Sequence, residues 1–87
     1  MKIKNGFVVR SIAGESVVVA LGEASKSFNG IIKLNDTGRF IWDMLATGAD
    51  ISELTEAILS EYDIDEETAK ADVCAFVDTL KGAGIIE

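Results

Sequence analysis

The sequence predicts an α+β domain, on three observations. Its first third holds two β-branched runs flanking a glycine-containing turn, the rest changes to a helical period, and an Asx residue opens each helical segment. The chain of 87 residues is 48% hydrophobic and 26% charged, the composition of one small folded domain, and residues 1–87 are read as a single unit. No apolar run approaches the roughly 20 residues of a bilayer span, and no basic stretch precedes an apolar one as in an export signal. A cytoplasmic domain with no membrane partner is expected.

The strands come first. Phe7 to Ile12 and Ser16 to Leu21 flank Ala13-Gly14-Glu15, where Gly14 supplies the positive φ of a tight hairpin. Gly22 to Gly30 reads as a polar connection, and Ile31 to Leu34 as a brief third strand. Proline is absent, so every strand residue keeps its backbone donor. Asn35 caps the first helical segment, whose apolar face carries Ile41, Met44 and Leu45 and which Gly48 ends. Asp50 with Glu53 forms a capping-box pair ahead of the stripe Ile51, Leu54, Ile58 and Tyr62. Asp65 caps the last helix, with the stripe Ala69, Val73, Phe76, Val77 and Leu80; Gly82 and Gly84 stop it before an extended Ile85-Ile86. Phe76 and Leu80, with Ile41 and Leu45, are expected to form the main core. A three-stranded antiparallel sheet followed by three helices, the last two joined closely, assembles naturally as a winged helix-turn-helix-like domain.

Composition removes most chemistry. Histidine is absent and cysteine occurs once, which excludes Ser-His and Cys-His nucleophile pairs, imidazole metal sites and an internal disulfide. Cys74 lies in mid-helix near only Lys70, too weak a positive setting for a reactive thiolate, and reads as a semi-buried filler. Asp63 to Glu67 fails as an EF-hand loop, because Thr68 stands where glycine belongs and Cys74 where the bidentate Glu belongs. No Asp-Ser-Leu attachment motif supports an acyl carrier. A non-enzyme without an imidazole or cysteine-rich metal site is expected.

Charge separates the remaining classes. The net −7 divides into six Lys/Arg against three acids over residues 1–42, and two Lys against twelve acids over 43–87, or +3 and −10. A recognition helix carrying Glu66, Glu67, Asp72 and Asp78 against Lys70 and Lys81 would be repelled by phosphates, so no nucleic-acid partner is expected. A winged-helix DNA-binding regulator is the alternative that the fold class keeps open. The strand at Ile31–Leu34 points elsewhere. As the last strand of a meander it is an edge guarded only by Lys33, to be covered either by Ile85-Ile86 or a loop of the chain itself, or by an added peptide strand. Asp72 is read either as a boundary acid, with Arg39 as its candidate partner, or as a contact at the edge of a peptide groove, and Trp42 as core.

Leu34-Asn35-Asp36-Thr37-Gly38, then Ile41-Trp42, Leu45 and Gly48, resembles the strand-to-helix segment of the coenzyme PQQ synthesis protein D family. Asp72-Val73, Phe76, Leu80 and Gly84-Ile85 are similar to that family's Asp-Val-x-x-Phe-x-x-x-Leu helix and closing Gly-apolar pair, and Phe28-Asn29-Gly30 to the approach to its third strand. The likeness covers about residues 6–87. It implies a non-catalytic, cofactor-free peptide-recognition element that holds the leader of a ribosomally made precursor peptide as an added strand. Such domains present the leader to a modifying enzyme, often a radical SAM enzyme, and related domains serve lasso-peptide proteases or cyclodehydratases. The implied peptide-binding positions are Ile31, Ile32, Lys33 and Leu34 on the strand and Ala69, Asp72, Val73 and Phe76 on the helix.

Overall fold

The computed structural model describes residues 1–27 and 31–87. Strand β1 (Phe7–Ile12) pairs antiparallel with β2 (Glu15–Ala20), in register from Phe7↔Ala20 to Ile12↔Glu15. The two residues between them, Ala13 at φ 53° and Gly14 at φ 81°, are both left-handed, as a type I′ hairpin requires. Glycine accepts this freely, whereas Ala13 carries a steric penalty for its Cβ. The residues before β3 include one helical turn, α1 (Ala24–Ser27), within which the Ser25 Oγ donates to the Gly22 carbonyl at 2.6 Å. A single turn has no apolar period, so the sequence reads there as plain connection. Phe28, Asn29 and Gly30 lie outside the described residues.

Strand β3 (Ile32–Leu34) pairs antiparallel with β2 through Ser16↔Leu34, Val17↔Lys33 and Val18↔Ile32. It starts one residue later than expected, at Ile32. The sheet order is β1-β2-β3, so β3 is an edge. Alternation turns Val18, Ile32 and Leu34 toward the core and leaves Lys33 in solvent.

Three capped helices close over that face. In α2 (Asp36–Thr47) the Asn35 side chain accepts from the Gly38 N–H at 2.8 Å, and the Gly48 N–H ends the helix on the Met44 and Leu45 carbonyls. In α3 (Ile51–Glu61) the capping box is complete: Asp50 accepts from the Glu53 N–H at 2.8 Å, and the Glu53 carboxylate accepts from the Asp50 N–H at 3.1 Å. At the start of α4 (Glu66–Gly82), Asp65 accepts from the Thr68 N–H at 2.8 Å. The Thr68 side chain and backbone N–H together hold the Asp65 carboxyl below its ordinary value. Leu54 and Ile58 of α3 pack with Val73, Val77 and Leu80 of α4 and Ile41 and Leu45 of α2, all essentially inaccessible. Each such side chain contributes about 1.5–3 kcal/mol by leaving water. Phe40 and Tyr62 meet edge-to-face at 5.9 Å, tying α2 to the end of α3.

Three expectations need correcting. Phe76 is half-buried at the rim of the core, not within it. At 3.6 residues per turn it points about 60° off the direction of Val73, while Ala69, Val77 and Leu80 stay closer to that direction. Arg39 does not meet Asp72: its Nε donates to Asp43 at 3.1 Å and its Nη1 to Ser16 Oγ at 3.4 Å. The intervening one-turn spacing to Asp43 along α2 makes that the easier pair. Ile86 does not cover β3; it bridges Ile3, while the Ile3 and Lys4 N–H groups donate to Leu45 and Ile85 carbonyls. The two ends of the chain thus close on each other and on the end of α2.

Candidate functional site

Among the described residues, β3 pairs with β2 alone, and a groove runs from the hairpin end of the β2–β3 pair toward α4. The section beside β3 is an open pocket of about 550 Å³, bordered by the hairpin end Gly14 to Ser16, by Lys33 to Asp36, and by Phe76. A second open pocket of about 340 Å³ lies beyond it, between the first turn of α2 and α4, and is lined by Asn35, Thr37, Gly38, Ile41, Asp72, Ala75, Phe76 and Thr79. Phe76 and Asn35 belong to both, so the aromatic ring stands where the two meet.

Periodicity explains which α4 residues reach the groove. Asp72, Ala75, Phe76 and Thr79 are spaced i, i+3, i+4, i+7 and form one stripe. The buried stripe of Ala69, Val73, Val77 and Leu80 runs beside it. Gly38 sets the depth at which Phe76 sits. A Cβ on Gly38 would lie 3.3 Å from the Phe76 ring and 3.1 Å from the capping oxygen of Asn35, so the missing side chain lets the ring settle onto α2.

The positions implied by the family resemblance separate into two sets. Lys33, Leu34, Asp72 and Phe76 converge on the groove. Ile32 is half-buried toward the core and Ile31, 71% exposed, precedes β3, and neither lines the groove. Ala69 and Val73 are 0% exposed and belong to the core that supports α4 from beneath. Glu15, Ser16, Asn35, Thr37, Gly38, Ala75 and Thr79 were not singled out for the groove by the sequence. The 72/75/76/79 stripe of small and polar residues beside the apolar one was the legible signal for those on α4.

Charge in the groove differs from a count along the strand. Lys33 Nζ lies 3.4 Å from Glu15 Oε2, with both side chains exposed, so the one guard of the edge is an ion-paired lysine. Asp72 has no ion pair or hydrogen-bond partner among the described residues. No group of three His, Cys, Asp or Glu placed to hold a metal ion occurs among them, and no described helix is long and apolar enough to cross a membrane.

An edge strand beside a groove, on a sheet backed by a helix-turn-helix pair, defines a winged-helix-like α+β domain. Residues 15–86 match the family profile of coenzyme PQQ synthesis protein D, and the chain belongs to that family. No curated protein matches it significantly. Among solved structures it is similar to TbiB1 in complex with the TbiA(beta) leader peptide, at 29% identity and TM-score 0.78, covering 100% of this chain and 95% of that one. It also shares the fold of a lasso peptide synthetase B1 complexed with the leader peptide, at 24% identity and TM-score 0.75, covering 97% and 93%.

Proposed function

We propose that this domain is a non-catalytic peptide chaperone: it takes the leader of a ribosomally made precursor peptide as an added strand on β3 and presents it to a modifying enzyme, one of the radical SAM class. The observation that carries the reading is the β3 edge, unpaired among the described residues and bordered by a groove whose wall is the half-buried Phe76. Backbone groups of the edge supply affinity for any extended segment, and the side-chain pockets beside it supply selection. TbiB1, solved in complex with a leader peptide, supports leader binding by this fold. Lys33 and Leu34 border the added strand, Asp72 and Phe76 meet its side chains, and Ala69 and Val73 hold α4 in place behind them. The exposed acids of α4 (Glu66, Glu67, Asp72 and Asp78) weigh against the DNA-binding alternative, since a duplex would meet them against only Lys70 and Lys81.

Fluorescence anisotropy separates the readings. A labelled synthetic leader of a ribosomally made precursor peptide is expected to bind saturably, and labelled duplex DNA to remain free at physiological salt. Duplex binding that weakens steeply with added salt, with the leader inert, would replace the peptide reading with the regulator.

A further inference from the structure

The pocket beyond Phe76 has a feature that strand addition alone does not use. Asp72 lines it with Asn35, Thr37 and Thr79 around an apolar wall of Phe76, and no described base neutralises the carboxylate. Lys70 lines the opposite flank of α4, Arg39 pairs with Asp43, and Lys33 pairs with Glu15. The neighbouring pocket adds Glu15 and Asp36 against Lys33 alone, so the groove as a whole carries an excess of negative charge. The first turn of α2 opposes this with the positive end of its dipole, about half an elementary charge. That end already donates to Asn35 and bears Asp36, so the full charge of Asp72 prevails.

We propose, resting on the leader-binding reading above, that the pocket beyond Phe76 is a specificity subsite for a basic side chain of the bound peptide, with Asp72 as its counter-charge and Gly38 as the positioning residue that seats Phe76. A lysine or arginine suits the pocket because its methylene stem lies along the Phe76 ring while its head meets the carboxylate and the hydroxyls of Thr37 and Thr79. Arginine, with its flat fork of donors, fits a carboxylate better than lysine does. The occupant is thus an extended peptide that places an apolar residue beside β3 and a basic residue one pocket farther along. Phe76 separates the two positions.

Selection from a displayed library of random 12-residue peptides on the full chain tests this without knowledge of the natural leader. The wild type is expected to enrich sequences with Arg or Lys at a fixed spacing from an apolar residue. Asp72→Asn is expected to lose the basic preference while retaining the apolar one, and to bind the selected peptides about three- to tenfold more weakly. Gly38→Ala, which pushes the ring toward the groove, is expected to lose the fixed spacing while its circular dichroism stays native. Enrichment of an apolar pattern with no basic preference, or a basic preference that survives Asp72→Asn, overturns the subsite and leaves strand addition standing. Failure to enrich any peptide overturns both.

Discussion

The two sides of α4 each border an open hollow, and the difference between them separates space from recognition. On the groove side the pocket beyond Phe76 has about 340 Å³; on the α3 side a pocket lined by Ile51, Ser52, Thr55, Glu56, Leu59, Glu66 and Lys70 has about 320 Å³. Volume does not tell them apart. The α3 side lies between two helices and offers no strand edge, and its buried hydroxyl, Thr55, donates to the Ile51 carbonyl at 2.7 Å. Among the described residues, the groove side adjoins a strand with a free flank and its acid, Asp72, is unpaired. An open strand edge beside an apolar wall is the setting the proposed strand addition needs, and a hollow between two helices lacks it.

The largest expected effects contrast the core stripe of α4 with its groove stripe. Leu80→Ala removes a side chain with 0% exposure and should destabilise the domain by about 2–5 kcal/mol without altering the groove lining. Phe76→Ala, half-buried, should cost only about 1–2 kcal/mol yet abolish leader binding. Urea titration paired with anisotropy checks both. Equal losses of stability at the two positions would erase the distinction between the stripes.

A smaller effect sharpens the groove side. The hairpin end at Gly14 borders the β3 pocket, and Ala13 beside it is held at φ 53°. Ala13→Asn suits the left-handed position and should raise stability by about 0.5–1 kcal/mol in a urea titration, leaving the register of β1 and β2 unchanged.

The smallest effect belongs to the α3 side, where α4 begins. Because Asp65 is held below its ordinary value by Thr68, its contribution is complete above the unfolded-state aspartate value, near pH 3.9. It is lost as the pH falls through the lower folded-state value. Asp65→Asn keeps a capping oxygen but removes the charge, so its stability should fall less steeply than the wild type's below about pH 4, with near-neutral stability little changed. Thermal melts across that range read it.

Much of this fold was legible because each element carries its own punctuation. Asn35, Asp50 and Asp65 mark helix starts by side-chain chemistry that acts within three residues, and Gly14 and Gly48 mark a turn and a helix end. Such local signals survive without tertiary context. What was hidden depends on neighbours distant in sequence. Phe76 reads as core by period alone, and only the packing of β3 and α2 against α4 shows it standing at the rim. The pairing of Lys33 with Glu15, and of Arg39 with Asp43 instead of Asp72, likewise depends on where strands and helices come to rest. Of the binding positions implied by the family resemblance, Leu34 and Phe76 line the groove, while Ala69 and Val73 are wholly interior. A motif marks a helix face without saying which of its residues look outward.

The most direct test of the central claim is amide chemical-shift mapping during titration with a synthetic precursor leader peptide. Strand addition predicts large, saturable shifts at Ile32, Lys33 and Leu34, with Asp72, Phe76 and Thr79 following, while Ser52, Glu56 and Leu59 on the α3 side stay fixed. Shifts concentrated on Ser52, Glu56 and Leu59, with residues 32–34 silent, would contradict it.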